Sequence, residues 1–488
     1  MVASKRRVRT ITLALTCALV ALTPAAAATL PTGFAEALVA SGLRRPTAMG
    51  FAPDGRLFVC EQGGTLRVIK NSTLLAAPFL TVTVNSLGER GLLGVAFDPA
   101  FATNKFVYIY YTATTPTVHN RVSRFTAVGD VAAAGSEVPI LDLETLGGTN
   151  HNGGAIHFGN DGKLHVGVGD NAVGANAQNL GTRLGKILRI NTDGTIPSDN
   201  PFFTTATGAN RAIWALGLRN PYTFAFEPVS GRMLINDVGE HTWEEVNEGQ
   251  RGANYGWPNS EGPTTAQGVT APLYAYDHGA GCAISGGAFH NLKKPQFPRQ
   301  YWGTYFIGDF CSGWIRSITP SDGTFTQFAS GISSLVDLAS SSDGSLYYLA
   351  RGGGPDTGIV SRISYTVTTP RVDLTANDSD GPLTVTPGTP LEILASFDAG
   401  SAGPVNAFVY VGVFTPGGTL FADSNGAFGP TATPVFSGAV SSFQAMSFAN
   451  IPNPTAVLPP GPYWWFMIIL PTANTNTSYS DLVLTSVP

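Results

Sequence analysis

The chain has 488 residues, 43% of them hydrophobic and only 12% charged, where an average soluble protein carries about 25% charged residues. Its 57 glycines and 34 prolines make up about 19% of the chain, which argues against a helical protein, while the hydrophobic share argues against disorder. A formal net charge of −5 disfavours a nucleic-acid partner, since phosphate binding needs a basic surface.

Residues 1–28 read as a signal peptide. Lys5, Arg6, Arg7 and Arg9 form a basic start, and Ile11 to Leu22 is an apolar stretch too short to span a bilayer. Ala25 to Ala28 supplies small residues for cleavage. The expectation is export, to a periplasmic or extracellular location. Removing the four signal charges takes the formal net charge from −5 to −9. No later stretch is long and apolar enough to cross a membrane. Cys60, Cys282 and Cys311 then remain, and an exported chain can form disulfides. Cys282 and Cys311 both flank glycine-rich turns, so they are the expected pair. Cys60, inside the strand-like LFVCE, is the expected buried thiol.

One pattern recurs over residues 29–370: an aromatic or polar lead, a tight turn, then an alternating strand. It reads FAPDGRLFV from Phe51, FGNDGKLHVGVGD from Phe158, FEPVSGRMLINDVG from Phe226 and SSSDGSLYYLA from Ser340. FDPAFATNKFVYIYYT from Phe97 is a longer variant, and YWGTYFIGDFCSGWIRSI from Tyr301 supplies the strands of a sixth unit. Asp-Gly between alternating apolar residues is a hairpin signal. Six units of about 57 residues suit four-stranded blades with inserted loops. The predicted fold is therefore all-β, a six-bladed β-propeller; an array of sandwiches is the alternative. Residues 371–488 contain one basic residue, Arg371, seven acidic ones and no His or Cys. Runs such as LEILASF, AFVYVGVF and YWWFMIIL predict a C-terminal β-sandwich there, Ig-like and accessory.

The densest polar cluster is GGTNHNGGAIHFGNDGKLHVGVGD, from Gly147 to Asp170. His157 and His165 fall in apparent strands and read as structural. His151 sits between Asn150 and Asn152 among glycines, so it belongs on a loop that a ligand can approach closely. An imidazole there is a candidate general base, with Asp170 placed to orient it. A second cluster follows Trp214. GLRNP exposes Arg219 at a turn, and VGEHTWEEVNEGQ gathers Glu240, Glu244, Glu245 and Glu248. Those carboxylates read either as a calcium site or as a solvated acidic face. Tyr255, Trp257 and Trp214 read as core aromatics. GVGDNAVGAN lacks the lysine of a phosphate loop, and no G-x-S-x-G elbow is present.

The blocks ERGLLGVAFDP, NHNGGAIHFGNDGKLHVGVGD, LGKILRIN, GLRNPYTFAFEP, GEHTWEEVN and ANYGWP, in that order over residues 33–365, resemble the soluble pyrroloquinoline-quinone (PQQ) dependent sugar dehydrogenases, the glucose/sorbosone dehydrogenases. The resemblance implies oxidation of a sugar C1 hydroxyl by hydride transfer to PQQ, with an external electron acceptor. It implies that His151 is the base, Asp170 its support and Arg219 the stabiliser of charge on the quinone. Glu89 and Gln178 would lie near the cofactor, Glu89 standing where a Gln is common. The Gly239 and Glu240 carbonyls would hold calcium, and Glu245 and Tyr255 a second calcium. The chain departs from the resemblance in its cations. Cys311 occupies the place of a cofactor-binding Lys, and Ser334 to Val336 carry no Arg where two are found. PQQ bears three carboxylates, so Arg316, Arg351 or Arg362 must substitute if it is to bind tightly. The DFCSG variant also resembles hedgehog-interacting-protein-like propellers, which makes a non-catalytic propeller binding carbohydrate or protein the alternative function.

Overall fold

The computed structural model describes residues 27–290, 296–366, 370–377, 383–400, 403–425, 427–472 and 478–488. Nearly all of the expected signal peptide lies outside them. Among the described residues no helix is long and apolar enough to cross a membrane.

The repeated turn is the local unit. At Asp54-Gly55 and Asp161-Gly162 the glycine takes φ of +88° and +71°, which a side chain would strain. The aspartate side chain accepts the N–H two residues on, at 3.3 Å from Arg56 and 3.0 Å from Lys163. The same geometry recurs at Asp343-Gly344, where Ser345 donates at 3.0 Å. Each turn joins the first two strands of an antiparallel sheet. Six such sheets form. Their first strands are Pro46–Phe51, Leu92–Phe97, Ile156–Phe158, Pro221–Phe226, Ile284–Phe289 and Leu335–Ser340. All six line one axial channel, with a cavity of about 390 Å³. The chain is thus a six-bladed β-propeller with a C-terminal β-sandwich.

Ring closure departs from the equal division read from the sequence. The last sheet runs Leu335–Ser340, Leu346–Ala350, Gly358–Tyr365 and then Phe34–Leu43, from the other end of the chain. The register pairs Phe34 with Tyr365 and Leu43 with Gly358. Every boundary between neighbouring blades has its own buried cluster. Phe58, Leu66 and Val68 meet Val95, Val107 and Ile109 at one boundary. Leu57, Val59 and Ile69 meet Val336, Leu349 and Val360 at the one that closes the ring. Phe34 sits edge-on to Phe297, Phe328 and Tyr365, with ring centroids 4.8, 5.0 and 5.0 Å away.

Residues from Arg371 onward build two sheets around a separate core that includes Leu374, Phe397, Val411 and Trp465. In Gly461–Pro471, Tyr463, Trp465, Met467 and Ile469 are buried on one face in the period-2 pattern of a strand, and on the other face Phe466 is buried as well, against Phe414 and Phe421.

Phe34→Ala removes the ring that ties the N-terminal strand to its neighbours. The expected cost is about 3 kcal/mol, the low end for truncating a Phe, read from the urea midpoint of the propeller. A cost under about 0.5 kcal/mol, the range of neutral surface substitutions, would show that closure does not rest on this cluster.

Candidate active site

His151 takes φ of +55°, a left-handed backbone that is uncommon outside glycine. Its neighbours enforce the loop. A Cβ on Gly169 would come within 2.2 Å of the His151 carbonyl oxygen, so only glycine lets the two segments touch. Asn152 is buried and anchors the loop to the preceding blade: Tyr110 Oη donates to its carbonyl at 2.8 Å, and Asn120 Nδ2 to its side chain at 3.2 Å. Asn220 Oδ1 accepts the Gly153 N–H at 2.9 Å from the following blade. The loop is thus held from both sides.

His151 Nδ1 lies 2.7 Å from Asp170 Oδ1. The Asp170 side chain is 1% exposed, and it also accepts from Ala172 N at 2.7 Å and from Trp257 Nε1 at 2.8 Å. A carboxylate offers only acceptors, so Nδ1 carries a proton, and in the neutral imidazole Nε2 is the nitrogen with the free lone pair. The His151 backbone N–H donates to Glu89 Oε2 at 2.7 Å. The structure therefore brings His151, Asp170 and Glu89 together.

Arg219 is joined to the same group through the backbone: Asp170 N donates to its carbonyl at 2.8 Å. Its own N–H and that of Asn220 donate to Asp237 at 2.9 and 2.7 Å. Burial pushes the Asp237 carboxyl well above the ordinary range, the Glu245 charge adds to this, and those two N–H groups oppose it. The Arg219 guanidinium donates to the Val238 carbonyl at 3.1 Å and lies 5.6 Å from the Trp257 ring centroid. Its buried Nε has no partner.

Gln178 lies against the Trp257 loop. Its Nε2 donates to Asn254 Oδ1 at 2.9 Å and to the Trp257 carbonyl at 2.7 Å, and its Oε1 accepts from Asn254 at 2.9 Å. It braces the Trp257 loop. Beneath it, Lys186 is fully buried with its ammonium on the carbonyls of Asn176, Ala177 and Leu184 at 2.7 to 2.9 Å. Burial pulls its pKa down to about 7, against the nearby Glu144 and Asp170 charges.

A cavity of about 260 Å³ opens beside these groups, lined by Glu89, Asn220, Val238, Phe310, Val336 and Arg351, among others. Of the three arginines considered as substitutes, only Arg351 reaches it. Arg316 lies over Trp314, 3.9 Å from its ring centroid, and Arg362 pairs with Asp343 at 2.9 Å. Cys282 and Cys311 form a disulfide, as expected, and Cys60 is buried and free. The buried Asp309 clasps both ends of the bridge. It accepts from Cys282 N at 2.9 Å, Ala283 N at 3.0 Å, Cys311 N at 3.0 Å and Ser312 N at 2.7 Å. Ala283 and Phe310, the next residues, line the cavity, so the bridge stiffens its wall.

The acidic segment is less gathered. Glu245 accepts from Gly262 N and from Asn247 at 2.9 Å, and burial raises its pKa to about 7. The Tyr255 hydroxyl donates to the Glu248 carbonyl at 2.7 Å, and no hydrogen bond joins it to Glu245. Glu244 takes His278 and the Ile284 N–H at 2.9 and 3.0 Å. Among the described residues no three His, Cys, Asp or Glu side chains converge as a metal cage. The Gly239 and Glu240 carbonyls follow Val238 at the cavity, and no hydrogen bond of the described residues ends on them. His157 and His165 keep structural places, edge-on to Phe224 at 4.9 Å and to Trp214 at 5.4 Å. Trp257 does not sit as a plain core aromatic: its indole N–H is bound to Asp170, and no sequence signal beyond its glycine-rich loop marks that contact. Asn220, Asp237 and Lys186 were also missed.

The Glucose / Sorbosone dehydrogenase family model matches residues 43–356. Aldose sugar dehydrogenase YliI of Escherichia coli is 32% identical over 286 residues, 54% of this chain and 75% of that protein. Quinoprotein glucose dehydrogenase B of Acinetobacter calcoaceticus is 30% identical over 50% of this chain and 56% of its own length. The crystal structure of the soluble aldose sugar dehydrogenase from Escherichia coli in the apo-form aligns with a TM-score of 0.61 at 26% identity, covering 68% of this chain and 99% of that one.

Replacing both Cys282 and Cys311 with Ala opens a loop with a sequence separation of 29. The expected loss is about 3–4 kcal/mol by the chain-entropy estimate, read by denaturant titration against the parent under oxidising conditions. An unchanged midpoint would show that the Asp309 clasp alone holds the wall.

Proposed function

The chain belongs to the glucose/sorbosone dehydrogenase family, and from that premise we propose that it is an exported, PQQ- and calcium-dependent oxidoreductase that converts the C1 hydroxyl of aldoses to lactones. The observation that carries the reading is the His151–Asp170–Trp257 chain, with the under-bonded Arg219 bound to the carbonyl of Val238, a residue of the cavity wall. The buried Arg219 Nε without a partner fits a missing anionic oxygen, because a buried donor left unpaired is costly. Bound PQQ would supply the electrophilic carbonyl that takes up hydride, chemistry that belongs to the cofactor.

The chain's own residues supply position and proton transfer. His151 Nε2 takes the proton from the sugar hydroxyl. Asp170 keeps the other nitrogen protonated and stabilises the imidazolium that results. Trp257 holds the second oxygen of Asp170, so the carboxylate cannot turn away. Arg219 stabilises negative charge that develops on an oxygen in the cavity. The free carbonyls of Gly239 and Glu240 are hard oxygen donors, the kind calcium takes, and bound calcium would polarise the cofactor carbonyl. Glu245 and Tyr255 are proposed for a second, structural calcium through oxygens other than the Tyr255 hydroxyl, which is engaged. Gln178 serves as the brace of the Trp257 loop. Electrons leave to an external acceptor.

One observation favours a second reading, a non-catalytic propeller that binds carbohydrate or protein. Cys311 and the segment from Ser334 to Val336 lack the cations that a tricarboxylate cofactor needs. The two readings separate in one experiment. Apo-protein is supplied with PQQ and calcium, and dye reduction is followed with several aldoses. Activity is expected, and His151→Ala should reduce it by about 10²–10⁴, the usual contribution of a positioned general base, with the fold retained by circular dichroism. Absence of both dye reduction and calorimetric PQQ binding overturns the enzyme reading; full activity in His151→Ala overturns the assigned base.

A further inference from the structure

Ser334 and Arg351 are neighbours in space. The Arg351 N–H donates to the Ser334 carbonyl at 2.8 Å, and the adjoining pair Leu335 and Ala350 face each other across the same two strands. The guanidinium that is absent from Ser334 to Val336 is therefore present one rung across the sheet, on the paired strand. Arg351 and Val336 line the same cavity.

The Arg351 side chain is set up to receive an anion. Gln62 donates through Nε2 to the carbonyls of Gly88 and Arg90, at 2.7 and 2.9 Å. That fixes its amide, and its Oε1 accepts from Arg351 Nη2. The other contact of the guanidinium is a long one, 3.5 Å from Nη1 to the Pro46 carbonyl. Among the described residues no carboxylate lies within ion-pair distance of it, although it is half-buried. Burial lowers its pKa and the Arg45 charge lowers it further, with Tyr222 opposing. Arg45 is exposed and has no side-chain hydrogen bond or ion pair among the described residues. It lines an adjoining cavity of about 240 Å³ that shares Gln62 with the first. Two cations without acidic partners thus flank Gln62. Glu89 lines the same cavity as Arg351 and no ion pair joins the two. Its negative charge disfavours carboxylates on its own side and so directs them toward Arg351.

We propose that Arg351, oriented by Gln62 and supported by Arg45 at the rim, is the carboxylate clamp of the cofactor cavity, supplying from the paired strand the charge missing at Ser334 to Val336. A guanidinium fork matches a carboxylate through two parallel N–H···O bonds. The clamp rests on the proposed function, because the ligand it is assigned to hold is PQQ.

The test is calorimetric titration of PQQ, with calcium present, into the full-length apo-protein and its variants. Arg351→Gln is expected to weaken binding at least tenfold and to flatten its salt dependence. Arg351→Lys, which keeps the charge and loses the fork, should fall between. Ser334→Arg placed in the Arg351→Gln background should restore affinity, a rescue that a purely structural role for Arg351 would not produce. Melting curves identify any variant that is misfolded, and Arg351→Lys then carries the comparison. PQQ affinity in Arg351→Gln within twofold of the parent overturns the clamp and leaves the proposed function standing. Loss of affinity that Ser334→Arg does not restore also overturns it. A parent protein that takes up no PQQ with calcium present overturns the proposed function and the clamp together.

Discussion

Pairing between Phe34–Leu43 and Gly358–Tyr365 closes a ring that the rest of the structure needs. A four-stranded sheet has two faces, and each blade covers only part of its own. Six boundaries with six buried clusters cover the remainder. If one boundary opens, two apolar faces meet water, and burial is worth about 25 cal/mol per Å². The N-terminal strand also removes an unpaired sheet edge, which otherwise invites pairing with another chain. Closure fixes the six innermost strands around one axis, and with them the loops at their ends. His151 lies just before the first strand of one blade. Asn220 and Ala283 directly precede, or nearly precede, those of the next two, and Ser334 precedes that of the last. The site is an outcome of the ring.

Within that frame the polar network is held mainly by backbone. Asp170, Asp237 and Asp309 are all buried, and each accepts two or more N–H groups: those on Asp170 and Asp309 come from separate segments, and those on Asp237 from the single Arg219-Asn220 turn. Buried carboxylates are costly unless they are bonded in this way. Each therefore acts as a knot between loops that have little apolar surface of their own. Asp170 joins the His151 loop to the Trp257 loop. Asp237 holds the Arg219-Asn220 turn, and Asp309 holds both ends of the disulfide. Glycines permit the close approaches these knots require, Gly169 against His151 being the tightest case in the His151 loop. The large glycine count of the chain has part of its cause here.

The hairpins were legible because an Asp-Gly turn is a local signal: the side chain, the turn and both strands lie within about ten residues. His151 and Asp170 were legible for a similar reason, since the loop and the strand end that bring them together are close in the chain. The closing strand was not, because its partner is more than 300 residues away and edge pairing leaves no local mark. Trp257 reaches Asp170 across 87 residues, and Gln178 reaches Asn254 across 76. Those contacts depend on blade order, which no window of sequence contains. Trp257 resembles any core aromatic until the neighbouring blade places a carboxylate on its indole N–H. Pairing of Cys282 with Cys311 was legible because both flank turns of one blade.

The scarcity of cations takes a different meaning once strands are paired. Reading along the chain, Ser334 to Val336 lack arginine and the loss looks complete. In an antiparallel sheet, residues facing each other lie about 4.5–5.5 Å apart, within the reach of an arginine side chain. A charge can therefore cross from one strand to its partner and still serve the same cavity. Arg351 is in that relation to Ser334. The cost of the exchange is a new angle of approach, and Gln62 supplies the fixed oxygen that sets it. With only 28 lysines and arginines in the chain, a half-buried guanidinium that has no acidic partner is an expensive feature to retain. Its hydrogen bonds to Gln62 and Pro46 leave donors over, and the cavity it lines is where the proposed carboxylate would take them up.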